Sequence, residues 1–221
     1  MMKKRCQLGQ TEGQSLVELA LALPLLLIMF VGLIEVGYAL RNYLIVVNAN
    51  REGTRFAARG RWFEDHGQEI FNRVVAAGGY NGTGADEVPI LRIQGAGDKQ
   101  ANTTIAVTLV QVPDQVDNTG GMLIENPIIY GPWYTGTMSY ESEIDAVALA
   151  EAWRQSNYEY NEQYFVSGQI DIPSENNFVI VEVWYEHKQL LGLPIFTEIM
   201  PDVIPLYAHT TMRVTINSRV E

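Results

Sequence analysis

The sequence predicts an α+β chain in which one long N-terminal helix crosses a membrane and then becomes the spine of an outer domain with an antiparallel sheet. Three observations carry this. A basic leader, Lys3-Lys4-Arg5, precedes an apolar run that is free of charge from Leu19 to Ile34. The run passes into a helical pattern that continues to Ala58. Farther on, segments such as TTIAVTLVQV and NFVIVEVWYEH have the residue preference and alternation of strands.

The leader, 1–13, sets the orientation, since basic residues stay on the cytoplasmic side. The stretch from Leu19 to Ile34 covers only about 24 Å as a helix, short of a hydrocarbon core of about 30 Å. A true span therefore takes in Glu35 or begins beside Glu18, and 14–40 is the expected transmembrane helix. A secretory signal would need small residues at a cleavage site after the apolar stretch. Tyr38, Leu40 and Tyr43 stand there instead, so the helix is expected to be retained. Its continuation, 41–61, is amphipathic: Arg51, Arg55 and Arg59 share a face, whereas Tyr43, Val46, Val47, Asn50 and Phe56 form no clean stripe.

Glu18 admits two readings. Ser15-Leu16-Val17-Glu18 has the form of a capping box, with Ser15 starting the helix. Alternatively, Glu18 is the fifth residue after a Gly13–Gln14 junction, a spacing with a functional meaning taken up below. Glu35, at the outer end, either sits at the interface near water or meets a cation such as Arg41.

The outer domain is expected to span 62–221. GQEIFNRVVAAGG reads as a short helix with Ile70, Phe71, Val74 and Val75 on one face, stopped by Gly78-Gly79. PILRIQ and TTIAVTLVQV read as one strand pair, and NFVIVEVWYEH and PLYAHTTMRVTIN as another. The apolar link QLLGLPIFTEIMPDVIP is expected to pack on the spine or the membrane surface. Between the pairs lies an insertion, 113–176, with eleven acids against the single base Arg154. Within it, YESEIDAVALAEAWRQ reads as a helix with Ile144, Val147, Ala148 and Ala152 on one side. Its aromatics, among them Trp133, Tyr134, Tyr140, Trp153, Tyr158, Tyr160 and Tyr164, either pack it onto the sheet or offer a partner surface.

A net charge of -11 argues against a nucleic-acid partner. The lone cysteine, Cys6, precedes the helix and leaves the outer domain without a disulfide. His66, His187 and His209 have no metal-ligand spacing, Glu186 and His187 point to opposite faces of a strand, and no catalytic motif is present. DQVDNTGG misses the calcium-loop pattern, because Asp114 and Asp117 are three apart where two is required. No cofactor, metal or enzymatic activity is expected.

Gly13, four residues, then Glu18 at the head of an apolar helix behind a basic leader resembles the prepilin-peptidase site of type IV pilins and pseudopilins. With Pro24 inside the run, Glu35-Val36-Gly37 after it and an Arg- and Ala-rich continuation, the segment resembles the TadE-like proteins of tight-adherence (Tad) pilus systems. The C-terminal VEVWYEHKQLLGLPIF…VIPLYAHTTMRV resembles their closing strand pair. The resemblance implies a pilin-like domain and cleavage between Gly13 and Gln14 by a prepilin peptidase. Glu18 would then pair with the freed amine of a neighbouring subunit. It also implies as partners other pilin or pseudopilin subunits, the inner-membrane Tad assembly platform and the lipid bilayer. The competing expectation is a permanently anchored single-pass protein whose acidic outer domain binds a protein or glycan of the envelope.

Overall fold

The apolar run and its amphipathic continuation form one helix, α1, Gln10–Ala57, of 48 residues. In this computed structural model the described residues are 10–59, 67–81, 88–95, 100–111, 115–116, 122–123, 127–136, 139–153, 177–192 and 201–214. Lys3, Lys4, Arg5 and Cys6 of the leader, Arg61, Asp114, Asp117, Tyr158, Tyr160 and Tyr164 lie outside them. Pro24 sits inside α1, which continues through it. Because α1 already begins at Gln10, Ser15 is interior to the helix and starts nothing; a capping box there is ruled out by the turn that precedes it.

α1 changes character along its length. From Gly13 to Ile34 nearly every side chain is exposed. From Glu35 onward a buried stripe appears at Glu35, Asn42, Val46, Ala49, Asn50, Gly53, Thr54 and Ala57, spaced three or four apart for most of its length. Tyr43 is excluded from it, and Arg51, Arg55 and Arg59 lie exposed on the far side. The stripe is made of small and polar residues, so helix and sheet approach closely.

The second helix, α2 (Gln68–Ala77), buries Ile70, Phe71 and Val74, with Val75 half-buried, and packs on α1. Gly53 is required there, since a Cβ at that position would overlap Val74 Cγ2. Two short ribbons follow α2: β1 (Tyr80–Asn81) pairs with β2 (Val88–Pro89), and β4 (Gln115–Val116) with β5 (Met122–Leu123). Between these pairs runs β3 (Thr103–Gln111).

The main sheet is antiparallel in the order β6-β3-β7-β8, with β6 at Ile128–Thr135, β7 at Phe178–Lys188 and β8 at Val203–Arg213. One face, carrying Ile105, Val107, Leu109, Val179, Val181, Val183 and Tyr185, forms a core with α1 and α2. The other carries Val110, Phe178 and Ile180, covered by a helix over 146–153, α3. This is why β3 is buried on both faces rather than alternating.

Two expectations are corrected. PILRIQ is not a strand beyond Val88–Pro89. The Asn102 side chain donates to Ile90 O at 3.0 Å and accepts from the Arg92 N–H at 2.8 Å, folding the segment on itself. The fourth strand is instead β6, from the acidic segment. Its Gly131-Pro132 step coincides with a bulge between Val107 and Leu109 of β3, where an edge strand tolerates proline. In α3 the inward side chains are Ala146, Leu149 and Ala150, with Ile144 just ahead of the helix. Val147, Ala148 and Ala152 are exposed. Asp145 sets this phase by capping the helix: its Oδ1 accepts from the Val147 and Ala148 N–H groups, both at 3.0 Å.

Candidate functional site

Three places along the molecule combine polar chemistry with position. The first is the bare half of α1. Gly13, Gln14 and Glu18 are all exposed there, and nothing lies within 4 Å of where a Gly13 Cβ would be. Around Glu18 the helix offers Gln14 and Ser15 one turn back and otherwise apolar neighbours such as Leu16, Val17, Leu19 and Leu21, themselves exposed. α1 is long and apolar enough to cross a membrane, and none of its most apolar 18-residue window is buried within the chain.

The second is the neck, where the sheet domain first grips α1. Glu35 is only 7% exposed. Its two oxygens accept the backbone N–H groups of Leu190 (3.0 Å) and Leu191 (2.6 Å), just beyond β7. Two turns on, the Asn42 amide meets His187 Nδ1 at 3.0 Å, and the Tyr38 ring lies 5.4 Å from the imidazole. Burial pushes the His187 pKa down, partly opposed by the negative charge of Glu35. A neutral imidazole accepting at Nδ1 from Asn42 suits that direction. Arg41, exposed, has its guanidinium 3.5 Å from Asn42 Oδ1. Two turns farther, Asn50 Nδ2 donates to Val181 O (3.0 Å) and Ala208 O (2.7 Å), tying the helix to both β7 and β8. Thr54 Oγ1 donates to Asn50 O at 2.8 Å and lies 3.2 Å from Asn50 Oδ1.

The third is the outer face of the sheet. Glu182, 1% exposed, lies in the middle of β7 facing α3. Its carboxylate accepts from the Ser142 hydroxyl, the Glu143 N–H (3.0 Å) and the Tyr207 hydroxyl (2.7 Å). Burial raises the Tyr207 pKa, and the hydrogen bond to Glu182 raises it further, so the phenol stays a donor. Tyr140 stacks on Trp184, with ring centroids 5.8 Å apart and 3° between planes.

Of the aromatics named as a candidate partner surface, the four that are described, Trp133, Tyr134, Tyr140 and Trp153, do not form one patch. Trp133 is half-buried against the core on the α1 side. Tyr134, on the opposite side, accepts the Ser142 N–H at 2.8 Å. Tyr140 covers Trp184, and Trp153 lies 6.0 Å beneath the Arg213 guanidinium. Trp153 and Arg213 also line a cleft of about 250 Å³ with Leu149, Asn177, Phe178 and Thr211. Glu182 and Asn50 escaped sequence reasoning; a carboxylate on the inward phase of a strand was the one available signal for the former. Among the described residues no group of three or more His, Cys, Asp or Glu side chains converges to hold a metal ion.

These arrangements bind segments of the chain to one another and leave the front of α1 bare. No curated protein and no solved structure gives a significant match to the chain. A family model does match, and it covers the helix from the bare segment through the docked stripe: residues 13–55 are similar to the TadE-like protein family.

Proposed function

We propose that the chain is a pseudopilin or minor pilin of a Tad-type pilus, inserted as a single-span precursor with its N-terminus in the cytoplasm. A prepilin peptidase cuts between Gly13 and Gln14, removing the leader and freeing an amine at the membrane face. Its partners are that peptidase, other pilin or pseudopilin subunits and the inner-membrane Tad assembly platform. The work is structural rather than catalytic, supporting assembly and adhesion.

The observation that carries this reading is the division of α1. One half is docked on a sheet and the other, beginning at the Gly13–Glu18 spacing, is apolar and bare. A helix of that kind is soluble in lipid and equally able to pack against copies of itself. Glu18 then becomes a registry device. A carboxylate among leucines is costly in low dielectric, and the cost is relieved when the new Gln14 amine of an adjacent subunit pairs with it.

Glu18→Ala tests the proposal. The variant should insert in the membrane normally and be cut, yet fail to enter pili. Pili that incorporate the alanine variant as well as the parent chain would refute the registry role. An anchor that never assembles would be indifferent to the substitution.

A further inference from the structure

We infer that the outer domain is itself partly sunk in the bilayer: Glu35 pins the turn at Leu190–Leu191 so that the two leucines sit among the acyl chains of the outer leaflet. The inference rests on α1 spanning the membrane but not on any role in a pilus.

Position along the helix comes first. If hydrocarbon begins beside Glu18, a core of about 30 Å at about 1.5 Å per residue reaches about 20 residues farther, to the level of Tyr38. Tyr38 and Tyr43 are the amphipathic rings expected at such a boundary, and Arg41 is the first base beyond Glu18. Glu35 therefore lies about one turn inside the boundary.

Glu35 is nevertheless almost completely enclosed, and its carboxylate is occupied at both oxygens by the Leu190 and Leu191 N–H groups. A hydrogen bond of 2.6–3.0 Å leaves no freedom of depth: the backbone of the turn sits at the level of Glu35. The two side chains borne by that backbone are 51% and 45% exposed. Val36 and Leu40 on α1 are exposed at neighbouring depths, so the apolar surface of the span runs on through the base of the domain. Two adjacent bare leucines facing water would be unfavourable; facing acyl chains they complete an apolar collar. The pairing also satisfies the turn's own amides at a depth where water is scarce.

Site-directed spin labels on the full chain in phosphatidylcholine–phosphatidylglycerol vesicles test this. With Cys6→Ser as background, Leu191→Cys and, separately, Leu190→Cys carry the label. Leu27→Cys reports the centre of the span and Glu143→Cys reports water. The labels at 190 and 191 should collide preferentially with oxygen over a water-soluble nickel chelate, several-fold more so than the label at 143. Adding Glu35→Ala should shift the label at 191 toward the aqueous value while the label at 27 stays in lipid. Labels at 190 and 191 as wet as the one at 143, with 27 in lipid, would overturn the inference while leaving the span intact; a turn reserved for a neighbouring protein gives that result. A wet label at 27 would overturn the inference together with the span.

Discussion

His187 Nδ1 lies 3.0 Å from Asn42 Nδ2, joining the end of β7 to the spine two turns beyond Glu35. The imidazole is buried among Asn42, Tyr38 and, at longer range, the Glu35 carboxylate. Its folded pKa is depressed below the ordinary 6.5. Between the folded and unfolded values the unfolded chain binds the proton and the folded one does not, so stability rises with pH across that interval. The domain should therefore lose stability as pH falls below about 6.5 and show no His187 contribution above it. Thermal unfolding in detergent at pH 5 and pH 7.5 measures the difference, and His187→Gln should flatten it.

Asn50 satisfies two strand carbonyls at once. Asn50→Leu leaves Val181 O and Ala208 O without that donor and places a larger apolar group in a tight seam. A loss of about 2–4 kcal/mol is expected from unmade buried hydrogen bonds and overpacking, read as a lowered denaturation midpoint.

Gly53 admits Val74 into the surface of α1. Gly53→Ala should destabilise the α1–α2 contact by about 1–3 kcal/mol. Combining it with Val74→Ala should recover part of the loss, because the clash disappears; a double-mutant cycle reads the coupling.

Glu182 has three donors, all of them neutral. Glu182→Gln replaces one acceptor oxygen by an NH2 group, which donates and cannot accept, at a cost of about 1–3 kcal/mol. Tyr207→Phe removes a single donor and should cost less. Near-ultraviolet circular dichroism of the stacked Tyr140–Trp184 pair would report the loosening of the 139–153 cover.

Processing is checked by intact mass. Chains recovered from membranes that contain the peptidase should begin at Gln14, and Gly13→Leu should retain the leader.

Much of the architecture was legible. The continuity of α1 from its apolar run into its docked half, the buried face of α2, and strands β3, β7 and β8 were readable from composition and apolar pattern. The docking stripe of α1 was not, because apart from Val46 it consists of Glu35, Asn42, Ala49, Asn50, Gly53, Thr54 and Ala57, residues suited to close approach and hydrogen bonding rather than hydrophobic periodicity. β6 was hidden by Gly131-Pro132 at its centre, a pair that ordinarily ends a strand and here marks a bulge on an edge. PILRIQ looked like a strand by composition, but Asn102 supplies local partners that no periodicity reveals. In the candidate site, Glu35 was visible as an anomaly in an apolar setting, whereas its partners are main-chain groups some 155 residues away that leave no side-chain signature.

The grip of Glu35, Asn42 and Asn50 on a single unbroken helix has a mechanical consequence. There is no slack tether between the apolar half of α1 and the sheet, so rotation of the helix about its axis turns the docked sheet by the same angle. In the proposed assembly, whatever aligns neighbouring helices within the membrane thereby fixes the compass bearing of that sheet.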